Sequence, residues 1–219
     1  PARSLEAEIA EATAQIHERE QETVTRLARA AEFRDPETGA HILRMAHYSA
    51  LIARQLGKDE AYSDRLLHAA PMHDVGKLGI ADHILMKPGR LTVDEFEQMK
   101  RHPMIGHDIL KGSTSPVIQT AAVIALTHHE KFDGSGYPFG TAGEAIPLEG
   151  RIVAVADVFD ALTSARPYKP AWSLDDATAF LREGRGQHFD STCVDAMLNR
   201  WSDVLDIRQR FQDESPTAL

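Results

Sequence analysis

The sequence predicts an all-α fold. Apolar residues recur at helical spacing along most of its length, and helix-start signals stand at Thr92, Ser115 and Ser173. The run Ile152–Ala156 is apolar enough to pass for a strand, yet Asp157, Asp160, Ala161 and Ser164 continue it at helical spacing. One domain with a leading helix accounts for these segments. Residues 1–33 form a signalling or linker helix, 34–205 the main domain, and 206–219 a polar C-terminal tail.

The leading helix covers about residues 4–33. Leu5, Ile9, Ala12 and Ile16 keep a 4-3-4 spacing that slips before Val24, Leu27 and Ala31 resume it. So thin a stripe cannot bury itself alone. It pairs with its copy in a dimer, or it lies on its own domain. Asp35-Pro36-Glu37-Thr38-Gly39 interrupts the run, and a helix resumes through about Arg54. The next helix, about 61–75, carries His73 and Asp74 at its C-terminal end, before an irregular stretch marked by Gly76, Gly79, Pro88 and Gly89. Thr92 and Glu95 make a capping box for a helix that reaches His102, and Pro103 starts a short one. Ser115-Pro116 opens a helix, apolar at Val117, Ile118, Ala121, Ala122 and Ala125, that ends at His128-His129. Residues 131–148 are a long Gly- and Pro-rich loop of functional character. Ser173 with Asp176 caps a helix stopping near Gly184, and a last helix spans about 191–204.

Composition narrows the function. Apolar residues make up 42% of the chain and charged residues 26%, as in a globular domain with a real core. No apolar run approaches a membrane span and no leader peptide stands at the start, so a soluble, cytoplasmic protein is expected. Cys193 is the single cysteine; no motif surrounds it, and a buried small hydrophobe is its expected role rather than a nucleophile. A net charge of −9 argues against a DNA or RNA polymer as partner, though bound cations can still make a carboxylate-lined pocket attractive to a small phosphate ester. The chain opens on Pro1, which suggests a longer gene product with an upstream domain.

The imidazoles carry the chemistry. His41, His73, His102, His128 and His129, with Asp74 and Asp157, point to a multinuclear metal site. Imidazole and carboxylate suit iron, manganese or zinc, and the lack of thiolates argues against a structural zinc knot. An His-Asp pair alone says little, and the sequence holds two. Only His73-Asp74 is followed by Gly76-Lys77; His107-Asp108 reads as a solvated surface pair. Glu37 and His41 share a helix face if the helix includes both, whereas a helix starting at Thr38 leaves Glu37 at its cap. Adjacent His128 and His129 point about 100° apart on a helix, so both reach one pocket only at a helix end, which is where they fall. Asp157 lies on an apolar helix, where a buried cation would offset the cost of its charge. His17, His47, His68, His83, His107 and His188 fit no ligand position.

Taken together, the motifs resemble the HD-GYP domain, a bacterial branch of the HD metal-dependent phosphohydrolases. The matching residues are Glu37-Thr38-Gly39-Ala40-His41-Ile42-Leu43-Arg44, His73-Asp74-Val75-Gly76-Lys77, Arg101-His102-Pro103 and His128-His129-Glu130. They continue with Asp133-Gly134-Ser135-Gly136-Tyr137-Pro138, Asp157-Val158-Phe159-Asp160-Ala161-Leu162-Thr163 and Arg166-Pro167-Tyr168-Lys169. The resemblance implies an HD-domain helical bundle with additional C-terminal helices. It implies that His41, His73, Asp74 and Asp157 hold one metal, and that Asp74 bridges to a second held by His102, His128 and His129. Glu37 stands where some members place a ligand for a third. Two or three divalent ions are implied, iron above all, with manganese an active substitute.

The implied reaction is hydrolysis of cyclic di-GMP to pGpG and onward to GMP by a hydroxide shared between two cations, which is a nucleophile at neutral pH. Lys77 would hold a non-bridging phosphoryl oxygen, Arg166 and Lys169 the second phosphate, and Tyr137 the substrate at the pocket mouth. Each basic residue could instead be a surface ion-pair partner. Asp160 would orient Lys77 or a ligand histidine. A homodimer through the leading helix and an upstream receiver or sensor domain complete the expectation. Two other readings stay open: a phosphohydrolase of another nucleotide, and a binding module whose metal site is not catalytic.

Overall fold

The structure, a computed structural model, describes residues 4–32, 39–165 and 170–212. Among these no β-strand occurs, only an isolated bridge between Arg185 and Phe189. The helices are α1 (Leu5–Glu32), α2 (Gly39–Gln55), α3 (Glu60–Ala69), α4 (Asp82–Leu85), α5 (Val93–Met99) and α6 (His102–Leu110). They continue with α7 (Pro116–Thr127), α8 (Leu148–Thr163), α9 (Leu174–Glu183), α10 (Ser191–Leu198) and α11 (Trp201–Arg210). The all-α expectation holds, and among the described residues no helix is long and apolar enough to cross a membrane.

The start signals act as read. Thr92 accepts from the Glu95 amide while the Glu95 carboxylate accepts from the Thr92 amide, and Ser115 and Ser173 accept from Ile118 and Asp176 amides. Helix ends are where the reading falls short. The helix expected over 61–75 stops at Ala69, because Pro71 lacks an amide hydrogen, and the chain tightens into a 3₁₀ turn over Ala70–Met72. A second 3₁₀ segment, Val75–Gly79, follows, so His73 and Asp74 sit at the joint between the two. The capped helix ends at Met99 and His102 opens the next one instead. The single helix expected over 191–204 is two, broken at Arg200, whose ψ of 39° is not helical. The break lets Trp201 meet Phe159 edge-on at 5.9 Å. Helix α11 then runs past residue 205 to Arg210, and Phe211 stacks on His47.

Helix α2 is the centre of the domain, packed by α3, α8, α10 and α11, with Met45, Tyr48, Ile52 and Ala53 fully enclosed. Helix α7 crosses α6 and α8. A Cβ at Gly150 would stand 2.2 Å from Thr127 Oγ1, so only glycine allows α8 this close to the end of α7. Truncating the enclosed Phe159 would cost about 3–5 kcal/mol. Cys193 is wholly buried, and burial pushes its thiol up to about 12, which makes it inert.

The leading helix divides along its length. Val24, Ala28 and Ala31 join the core against α3 and the two 3₁₀ segments, whereas Leu5, Ile9 and Ile16 stay exposed. Leu27, which continues the apolar stripe, is 59% exposed; the neighbouring Ala28 faces the domain, where a small side chain allows close approach.

Candidate metal centre

Five segments converge on one pocket. His41 comes from the first turn of α2, and His73 with Asp74 from the joint between the 3₁₀ turns. His102 is the first residue of α6, and His128 and His129 follow the last turn of α7, opposite Asp157 on α8. Gly76 makes the meeting of two of these segments feasible: a Cβ there would lie 1.9 Å from the His102 carbonyl oxygen and 2.5 Å from the Gly106 nitrogen. Gly136 plays the same part in the loop beyond His129, where a Cβ would lie 2.3 Å from the Lys131 nitrogen.

The ligand-type atoms fall into two sets. His41, His73 and Asp157 form one, Asp74, His102, His128 and His129 the other, each with its atoms within 4.8 Å of one another. Asp74 stands between them. Its Oδ2 is 3.2 Å from His73 Nε2, and its Oδ1 is 3.1 Å from His102 Nε2 and 3.6 Å from His128 Nε2. Across the first set, Asp157 Oδ1 lies 3.6 Å from His41 Nε2 and 3.9 Å from His73 Nε2.

The backs of the rings fix their tautomers. Nδ1–H donates to the Ala70 carbonyl in His73 (3.2 Å), to Met99 in His102 (2.8 Å) and to Ile124 and Ala125 in His128 (3.1 Å each). In His41 it donates to Asp160 Oδ2 at 2.8 Å. A carbonyl or carboxylate can only accept, so each Nε2 carries a lone pair turned inward. His102 and His128 thereby aim two acceptor nitrogens at each other across 3.5 Å, an arrangement that suits a shared cation. Electrostatics agree. Burial depresses His128, and burial with the neighbouring imidazoles holds His129 well below the histidine range, so both rings are neutral at pH 7. Burial opposes charge on Asp74, but the Lys77 ammonium keeps its carboxyl well below the carboxylate range. Neutral imidazoles and ionised carboxylates are the protonation states that metal ligation needs, and the donor set fits a divalent transition ion.

Around this pocket, Lys77 Nζ lies 2.8 Å from Asp74 Oδ2. The Tyr137 ring stacks on His129 at 4.7 Å and meets Phe96 edge-on. Of the two partners expected for Asp160, His41 is the one beside it; Lys77 pairs with Asp74 instead. Glu37, Arg166 and Lys169 lie outside the described residues. The pair His107-Asp108 belongs to neither set, with Asp108 exposed beside Lys111 and His107 on the Ala122 carbonyl.

Two residues gained no role from the sequence. Arg44 is buried against Asp160, with Nε 2.6 Å from Oδ1. Glu130, also buried, accepts the amides of Phe139 (2.8 Å) and Thr141 (3.0 Å) and so pins the loop carrying Tyr137. Both stand inside motif stretches, Arg44 three residues after His41 and Glu130 next to His129, and that proximity was the available signal.

The chain is similar to known proteins. The family model for the HD domain matches residues 5–193. The cyclic di-GMP phosphodiesterase response regulator RpfG of Xanthomonas campestris pv. campestris is 53% identical over 212 residues, 97% of this chain and 56% of its own length. A cyclic di-GMP phosphodiesterase of Vibrio cholerae is 48% identical over 203 residues, 87% of this chain and 41% of its own length. The chain thus spans about half the length of the relatives it matches. In structure it is similar to a cyclic GMP-AMP specific phosphodiesterase of V. cholerae (TM-score 0.65, 20% identity), with 90% of this chain and 54% of that one covered, which shows the fold. With its helical architecture, its paired His/Asp clusters and this match over most of its length, the chain belongs to the HD domain family.

Proposed function

We propose that the chain is the catalytic portion of a cyclic di-GMP phosphodiesterase, opening the cyclic dinucleotide to pGpG and cutting that onward to GMP. The observation that carries this reading is the place of Asp74 between two imidazole sets, with Lys77 on its Oδ2. His41, His73, Asp157 and Asp74 would hold one ion, and Asp74, His102, His128 and His129 a second. Iron is the proposed metal, manganese its active substitute, with Glu37 available to a third ion. Such ions supply Lewis acidity toward phosphoryl oxygens and a hydrolytic nucleophile at neutral pH.

The chain's own residues do the rest. Lys77 turns from Asp74 to a non-bridging phosphoryl oxygen and stabilises the charge that grows there. Tyr137, held over His129 by the loop that Glu130 pins, borders the substrate at the pocket mouth. Arg166 and Lys169 take the second phosphate, and Arg166 can do so through two parallel hydrogen bonds. Asp160 keeps His41 in the tautomer that ligation requires.

The exposed Leu5, Ile9 and Ile16 support a homodimer through α1, with residues 1–33 relaying the signal of an upstream receiver or sensor domain to a domain at 34–205, in the bacterial cytoplasm. The acidic charge favours a small cyclic dinucleotide over a DNA or RNA polymer. Turnover of cyclic di-GMP by iron- or manganese-loaded protein, with His128→Ala as control, tests the reading. Tight binding without hydrolysis would favour a sensor, and cleavage of a hybrid cyclic dinucleotide alone would reassign the substrate.

A further inference from the structure

We propose that Arg44 is a positioning residue: through Asp160 it decides which nitrogen of His41 carries the proton, and therefore which faces the metal pocket. The proposal rests on the reading of His41 as a ligand through Nε2. The structure shows why a decision is needed. Helix α8 presents two carboxylates, one turn apart, to the two edges of a single imidazole. Asp160 Oδ2 lies 2.8 Å from Nδ1, and Asp157 Oδ1 lies 3.6 Å from Nε2. A neutral ring has one N–H to give. Given to Asp160, it leaves the Nε2 lone pair aimed at the pocket; given to Asp157, it puts a hydrogen where an ion should sit.

Arg44 settles the contest by geometry. From the turn of α2 that follows His41, its Nε and Nη2 reach the two oxygens of Asp160 at 2.6 and 2.9 Å, the paired contact that fixes a carboxylate's plane. Nη2 also donates to Ser164 Oγ at 2.8 Å and Nη1 to the Phe211 carbonyl at 2.9 Å, so the guanidinium is itself held from three sides. Ser164 Oγ adds a further bond to Asp160 Oδ2 at 3.1 Å. Asp160 is therefore an immobile acceptor aligned on Nδ1. His41, Arg44 and Asp160 are all buried, so the bonds among these three side chains are shielded from water.

Two substitutions probe this in opposite ways. Arg44→Met releases the carboxylate plane, and the His41 ring is expected to populate both tautomers. Asp160→Asn keeps size and shape, but the Arg44 guanidinium claims the amide oxygen and turns the NH2 toward His41. That donor requires Nδ1 to accept, so the ring is expected to invert to Nε2–H.

The experiment reads imidazole nitrogen chemical shifts by NMR in metal-free protein labelled with ¹⁵N-histidine, with His41 assigned from His41→Ala. Titration with Mn²⁺ follows on the same samples. Wild type is expected as Nδ1–H, Arg44→Met as a mixture and Asp160→Asn as Nε2–H. Each variant is expected to weaken one of two Mn²⁺ sites by roughly 10–100-fold and spare the other, and Arg44→Lys to recover part of the loss. Should Arg44→Met fail to fold by circular dichroism, Asp160→Asn carries the test alone. Wild-type tautomer and Mn²⁺ affinity in a folded variant would overturn the proposal. Mn²⁺ binding unaffected by His41→Ala would instead overturn the ligand reading of His41, an outcome the metal-free spectra keep separate.

Discussion

His102 Nε2 and His128 Nε2 face each other at 3.5 Å, each turned there by an Nδ1–H bond to a main-chain carbonyl. Two lone pairs so placed repel each other until a cation comes between them. Adding Mn²⁺ to chelator-treated protein is therefore expected to raise the unfolding temperature, with about 2.7 kcal/mol of stabilisation at a hundredfold excess over Kd. Differential scanning calorimetry checks this. The same addition should stabilise His128→Ala less, through the His41, His73 and Asp157 set alone.

Gly76 sets the spacing between the two ligand-bearing segments. In Gly76→Ala the new methyl would meet the His102 carbonyl at 1.9 Å, a main-chain atom that cannot turn aside. The expected cost is about 1–3 kcal/mol in urea denaturation, with weakened metal binding because Asp74 and His102 are pushed apart. Unchanged stability would mean that these segments approach less closely.

Glu130 governs the loop rather than the ligands. Glu130→Ala removes the buried acceptor of the Phe139 and Thr141 amides, at about 1–3 kcal/mol. Hydrogen exchange at these two amides is expected to accelerate strongly, while amides of α7 keep their protection.

Part of the site was legible because some of its ligands follow helix starts that a capping Ser or Thr announces. Ser115-Pro116 starts α7, and counting turns from there puts His128 and His129 at its end. Thr92 and Glu95 locate α5 in the same way, and the placement of Asp157 follows from the period of α8. Contacts between remote segments were not legible. Nothing local says that Asp160 meets Arg44 from another helix, that Gly76 lies under the His102 carbonyl, or that Ala28 rather than Leu27 faces the domain. Those depend on how helices cross, and a periodic pattern does not record crossing. The break at Arg200 had no proline or glycine to announce it.

Acid stability should depend on His188. Burial, with Lys131 nearby, lowers its pKa from the ordinary 6.5 to about 4, and the ring lies flat on Phe189 at 4.1 Å. Between pH 6.5 and about 4 the unfolded chain binds this proton and the folded one does not, so stability falls as pH falls through that window. His188→Phe keeps the stacked shape and removes the proton. Its stability, followed by chemical denaturation across that range, should decline less steeply than wild type by the share of one proton.

The central claim is that Asp74 joins two imidazole sets into one centre for adjacent ions. Elemental analysis of protein purified without oxygen addresses it most directly. About two or three transition ions per chain are expected in wild type, falling to one or none in Asp74→Ala. Wild-type metal content in a folded Asp74→Ala protein would contradict the account.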